Sequence, residues 1–212
     1  MTISHRVLLM VVVCFHTHFP WLGIAQALET GAEVTLWLES DQAVATSPLS
    51  GRREFRLEAQ ERVISSRANG INGIVVTSRR LVGFSSRSLT WSKTDLDLSE
   101  KVLEQRILAA FSLIRTDRNL YAFRGANGLW FEEGLGVREQ VNRLHSNDYG
   151  AVFITNERVI GFTPLLGSFS SKPLDVHEHI VDIANENGLI FVSTTRRTLV
   201  LGSRLSGWEE FE

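Results

Sequence analysis

Apolar residues in this chain come in short runs separated by two to four polar ones, and the runs return at a fixed interval. Ile74-Val75-Val76 and Leu81-Val82 flank a polar stretch, Thr77-Ser78-Arg79-Arg80. Such runs are rich in β-branched side chains and apolar on both faces, which suits strands covered on both sides. The segment recurs in steps of 39 residues: Thr77, Thr116, Thr155 and Thr194; Phe84, Phe123, Phe162 and Leu201; Trp91, Trp130, Phe169 and Trp208; Val63, Val102, Val141 and Ile180. Four columns in one register without an insertion define an internal repeat.

Within a unit the pattern predicts four short strands. The first follows a recurring Glu (Glu61, Glu100, Glu139, Glu178) and covers Val63 to Arg67 in the clearest copy; the others are Gly73 to Thr77, Arg80 to Ser85 and Thr90 to Leu98. The residue after the recurring Thr is Ser78, Asp117, Asn156 or Thr195. These side chains accept a hydrogen bond from the backbone two residues on, so the position reads as a tight turn. Full copies span 61–99, 100–138 and 139–177, with a last one from 178 onward. Residues 28–60 form a degenerate first copy, with Val34 to Leu38 set under Gly73 to Thr77 and Ala43 to Ala45 under Val82 to Phe84.

A four-stranded unit of this length has two apolar faces and buries them only against its neighbours. The chain from residue 28 onward therefore resembles β-propeller repeats as a class, and the resemblance implies an all-β fold of about five blades, the first incomplete. No subfamily is matched: the Trp-Asp and Gly-His marks of WD repeats and the paired glycines of kelch repeats are missing. The gap between Phe84 and Trp91 is similar to that of Asp-box propellers, but Ser86 stands where the acid belongs. The aromatic column at 91, 130, 169 and 208 reads as packing between blades. A closed ring needs a strand from Leu28 to Gly31 or a first blade completed by Gly207 to Glu212. Otherwise an edge stays open for a partner.

The amino terminus is a different material. Arg6, the apolar run Val7 to Phe15 and Ala25-Gln26-Ala27 have the order of a secretory signal peptide, which divides the chain into 1–27 and 28–212. An uncleaved anchor is the alternative, although His16, His18 and Pro20 interrupt the run. The expected setting is a bacterial envelope, periplasmic or extracellular. The sole cysteine, Cys14, lies in the removable part. Removing Arg6 from 22 basic residues leaves 21 against 24 acidic ones, a balance of −3 with no block of either sign. Nothing here favours nucleic acid or an anionic membrane surface.

Candidate chemistry is sparse. Arg79, Arg80, Arg118, Arg158, Arg196 and Arg197 cluster at the turns between the second and third strands, which a propeller places on one rim. They could grip carboxylates or phosphates of a partner, or each could pair with a local acid. His177 and His179 flank Glu178 without a third ligand, so no metal site is assigned. No serine lies in G-x-S-x-G and no Gly-rich phosphate loop occurs. The acids Asp95, Asp97, Glu132 and Glu133 fall where outward charge protects a blade edge. Short loops leave little material for a catalytic site. The expectation is an exported, non-catalytic module without cofactor, an accessory subunit of a periplasmic or membrane-associated assembly. The alternative is a lectin-like binder of small ligands between blades, using Trp91, Trp130 and Trp208.

Overall fold

The structure is a computed structural model and describes residues 33–202 and 207–212; the proposed signal segment, Cys14 and the expected strand from Leu28 lie outside the described residues. Every described element is a strand. The first sheet has three, β1 (Thr35–Glu39), β2 (Gln42–Ser47) and β3 (Gly51–Arg56). The second has four, β4 (Val63–Asn69), β5 (Asn72–Thr77), β6 (Arg80–Ser85) and β7 (Thr90–Asp95). The third comprises β8 (Val102–Ile107), β9 (Phe111–Thr116), β10 (Asn119–Arg124) and β11 (Leu129–Gly134). The fourth comprises β12 (Val141–Asn147), β13 (Gly150–Thr155), β14 (Arg158–Thr163) and β15 (Ser168–Pro173). The last comprises β16 (Ile180–Glu186), β17 (Leu189–Thr194), β18 (Thr198–Gly202) and β19 (Trp208–Phe211). All pairings are between sequence neighbours and antiparallel, so each sheet is one blade of a β-propeller-type array. The fourth strand is shorter than expected, ending at Asp95, Gly134 and Pro173; Leu96, Leu135 and Leu174, which follow, pack against the cores between blades.

Blades stack face to face, and side-chain alternation decides who meets whom. Ile74, Val76 and Leu81 of the second blade meet Ile114, Tyr121 and Phe123 of the third. Phe111, Leu113 and Leu120 meet Phe153, Ile160 and Phe162 of the fourth in the same way. The packing is knob into hole. A Cβ on Gly83 would lie 2.5 Å from the Phe123 ring, and one on Gly161 would lie 2.7 Å from Leu201. The aromatic column lies between blades, as expected. The Trp130 indole donates to the Ser92 carbonyl of the preceding blade (3.4 Å) and Trp208 to that of Ser170 (3.1 Å). Trp91 stacks against Phe84 at 5.1 Å and Phe55 of the first blade at 5.7 Å.

The first copy departs from the expected register. Glu39 pairs with Gln42 across its hairpin, where Thr77 and Arg80 hold the same places in the second blade, so the hairpin is offset by 38 residues, not 39. Side chains alternate with period two, so this slip exchanges the faces. Val34, Leu36, Ala43 and Ala45 turn inward onto Gly73, Val75, Val82 and Phe84. The opposite face carries Trp37 over Val44, with the Trp37 indole donating to Glu39 (2.8 Å) and Arg52 lying 5.8 Å from the ring and 2.8 Å from Glu39. A polar outer face is what ends a repeat array. The carboxyl end does not complete this blade: β19 pairs with β18 of its own sheet, and among the described residues the array is not closed.

Candidate interaction rim

The end of the array that bears the β5–β6 turn and its equivalents also bears the connections from the last strand of each sheet to the next blade. Each connection ends in a turn closed by the recurring Glu: its N–H donates to the carbonyl three residues back, as from Glu61 to Glu58 (3.0 Å) and from Glu178 to Asp175 (2.9 Å). The carboxylate returns to the N–H of that residue, at 2.8 Å for Glu61, Glu100 and Glu139 and 3.1 Å for Glu178. It also accepts the hydroxyl of the recurring Thr, Thr77 on Glu61 and Thr194 on Glu178. A single carboxylate thus ties the connection to the second strand.

The six arginines divide into two sets. Arg80, Arg158 and Arg197 hold this carboxylate with their guanidinium forks: Nε lies 2.8 Å from Glu61, Glu139 and Glu178 respectively. Each also reaches a second acid, Glu58, Glu133 or Glu210, and the carbonyl of Arg56, Gly134 or Pro173. Burial alone would push the Glu178 carboxyl up, but Arg197 and Thr194 hold it at about 2. Glu61 and Glu139 are shifted down against burial for the same reason. Arg79, Arg118 and Arg196 are exposed and pair with Glu58, Asp97 and Asp175. The rim is therefore a row of ion pairs, and the arginines are not free guanidinium groups awaiting a ligand. Glu133 pairs inward, whereas Asp95 and Asp97 are exposed as expected. Glu178, between His177 and His179, is committed to Arg197.

The turn chemistry sits one residue earlier than the sequence suggests. Thr77 Oγ1, not Ser78, accepts the N–H groups of Arg79 and Arg80, and Thr116, Thr155 and Thr194 do the same. The following side chain instead accepts the N–H of the residue after the recurring Glu: Asp117 from Lys101 (2.8 Å), Asn156 from Gln140 (2.7 Å).

Three residues that the sequence reading passed over stand out. Leu98, Val137 and Val176 are 92, 106 and 90% exposed, at the second position of the turns that the recurring Glu closes. They lie 39 residues apart within Leu96-Asp-Leu-Ser-Glu100, Leu135-Gly-Val-Arg-Glu139 and Leu174-Asp-Val-His-Glu178. Turns favour polar residues, so an apolar tip kept in three copies has no explanation in the fold. On the first strand of the next blade Ile64, Leu103 and Val181 are also exposed, at the points where β4, β8 and β16 shift register. Between neighbouring blades lie two open hollows in equivalent positions, of about 320 and 340 Å³. Their linings differ: Asn142, Asn156 and His179 in one, Leu103, Asp117 and Gln140 in the other.

The chain matches no protein family and no curated protein in sequence. Among solved structures, it is similar to the N-terminal domain of Nup159, at 9% identity and a TM-score of 0.36 over 84% of this chain and 58% of that one. It is similar to BamB from Moraxella catarrhalis at 16% identity and 0.35, over 84% and 57%. A complex of Kap60 with yeast RCC1 (Prp20) gives 9% and 0.41, over 81% and 54%. The chain thus spans little more than half of the length of these structures. At such TM-scores the likenesses carry no weight, and the assignment of the architecture rests on this chain's own four-stranded antiparallel blades.

Proposed function

We propose that this protein is an exported, non-catalytic β-propeller that serves as an interaction subunit of a larger envelope assembly, docking through the rim of Leu98, Val137 and Val176. The observation that carries the reading is the near-complete exposure of these three side chains at one repeated turn. A row of apolar knobs set among compensated ion pairs suits a protein surface, where apolar contact supplies affinity and paired charges supply register. The acids beside the tips, Asp97 and Asp175, disfavour an anionic bilayer. Export rests on the amino-terminal segment alone, and an intact mass beginning at Leu28 would test it. The test of docking is mild extraction from native membranes, comparing wild type with Leu98→Ser/Val137→Ser/Val176→Ser. A stoichiometric companion should accompany the wild type and be lost from the variant at unchanged melting temperature. A companion retained by the variant, or a wild type that emerges alone, would overturn it. The sugar-binding alternative has less support, since Trp91, Trp130 and Trp208 pack between blades.

A further inference from the structure

The third blade lacks one member of the motif that the second, fourth and last blades share. The place of Arg80, Arg158 and Arg197 is taken by Asn119, whose amide reaches Glu100 at 3.1 Å while the Tyr121 hydroxyl lies 3.2 Å from the same oxygen. The acids of the guanidinium site are kept, with the Asn119 amide and the Tyr121 hydroxyl on Glu100 where the other copies have the fork. Glu100 corresponds to Glu178, and Glu132 corresponds to Glu210, two repeats on in each case. In the last blade those two acids hold Arg197, each at 2.8 Å. In the third blade Glu132 makes no hydrogen bond or ion pair among the described residues, and its carboxyl is pushed up by burial and then by Glu100 and Asp97. Among the described residues the Asp97 carboxylate is met only by Arg118, at 3.9 Å. Two acids that ligate a guanidinium elsewhere in the same chain are thus present here without one, beside the exposed tip of Leu98.

We propose that an arginine of the partner docks at the third blade, on Glu100, Glu132 and Asp97, and supplies in trans the guanidinium that the second, fourth and last blades carry in cis. This rests on the reading of the rim as partner-facing, and it defines the partner's chemistry: an exposed arginine next to apolar residues that meet Leu98. Arginine fits better than lysine because its planar fork spans two carboxylates, as Arg197 does. The internal copies act as the template for the geometry.

The test follows the carboxyl resonances of Glu100 and Glu132 by NMR in the mature chain, with N-acetyl-arginine amide as probe and N-acetyl-lysine amide as control. The arginine probe should give a saturable shift at Glu132 and lower its titration midpoint by about one unit, the least expected of an opposite charge at contact distance. The lysine probe should do much less. Asn119→Arg with Tyr121→Val, which restores the complement of the second blade, should show the lowered midpoint without probe and no response to it. Should that variant fail to fold, Glu132→Gln must abolish the Glu100 response. No saturable shift, equal shifts from both probes, or a response that survives in either variant would overturn the proposal. Loss of the companion on removal of the tips, together with a silent arginine probe, would sink the slot and leave the rim. A bound probe with the companion retained would do the reverse.

Discussion

Replacing Glu178 by Gln removes one charge from a carboxylate whose side chain is fully buried, and its size can be worked from the pair's geometry. The carboxylate accepts from Arg197 Nε at 2.8 Å and Nη2 at 3.0 Å, from Thr194 at 2.7 Å and from the Asp175 N–H at 3.1 Å. Burial raises its pKa, but these donors overcome it and bring the value from 4.5 to about 2. That fall corresponds to about 3 kcal/mol of stability. The sign is that of a depressed acid: the contribution is complete above pH 4.5 and disappears as pH falls through about 2. Gln keeps one acceptor but turns an amide N–H₂ toward the guanidinium, so at pH 7 the variant should lose about 3 kcal/mol, on the order of 10 °C in melting temperature for a domain of this size. Urea unfolding at steps from pH 7 to pH 2 measures both proteins. The gap between them should close as the wild-type acid protonates. A gap that stays constant across the whole range would show that the stabilisation is not ionic, and a gap below about 0.5 kcal/mol at pH 7 would show that Arg197 is held elsewhere.

Gly83→Val places carbon inside the hole that receives Phe123 and should cost roughly 1–3 kcal/mol by denaturant titration, with tryptophan emission reporting blade separation. Gly70→Ala should also destabilise, by about 2 kcal/mol, because φ is +53° and the new Cβ would lie 2.4 Å from the Ala109 carbonyl of the next blade. The three tip substitutions should leave urea unfolding within about 0.5 kcal/mol of wild type, since the side chains are almost fully exposed. Sugars should not quench Trp130 or Trp208, whose indoles are bonded to the preceding blade; saturable quenching of either would revive the lectin reading.

Much of this fold is written in the chain as a period. Constant spacing without insertions marks four units and a looser match marks the first, and Thr77, Phe84 and Trp91 with their copies mark strand ends, because a blade that packs only on its neighbours must keep the same residues at the same places. The apolar tips were legible in the same way, as a column at Leu98, Val137 and Val176, but loops are not where an apolar column is sought. So was the division of the arginines: counted in steps of 39, Arg79, Arg118 and Arg196 share a column with Glu157, and Arg80, Arg158 and Arg197 share one with Asn119. What no spacing could tell is which of two adjacent arginines is buried. That depends on the buried carboxylate of the connecting turn, brought to Arg80 from 19 residues away by the meeting of β5, β6 and the connection before β4. The slip in the first copy is also a tertiary matter. The β2–β3 turn has three residues between Ser47 and Gly51 where the second blade has four between Ser85 and Thr90, and with that one residue gone period-two alternation sends Ala43 and Ala45 inward and leaves Trp37, Glu39 and Arg52 to finish the end of the array.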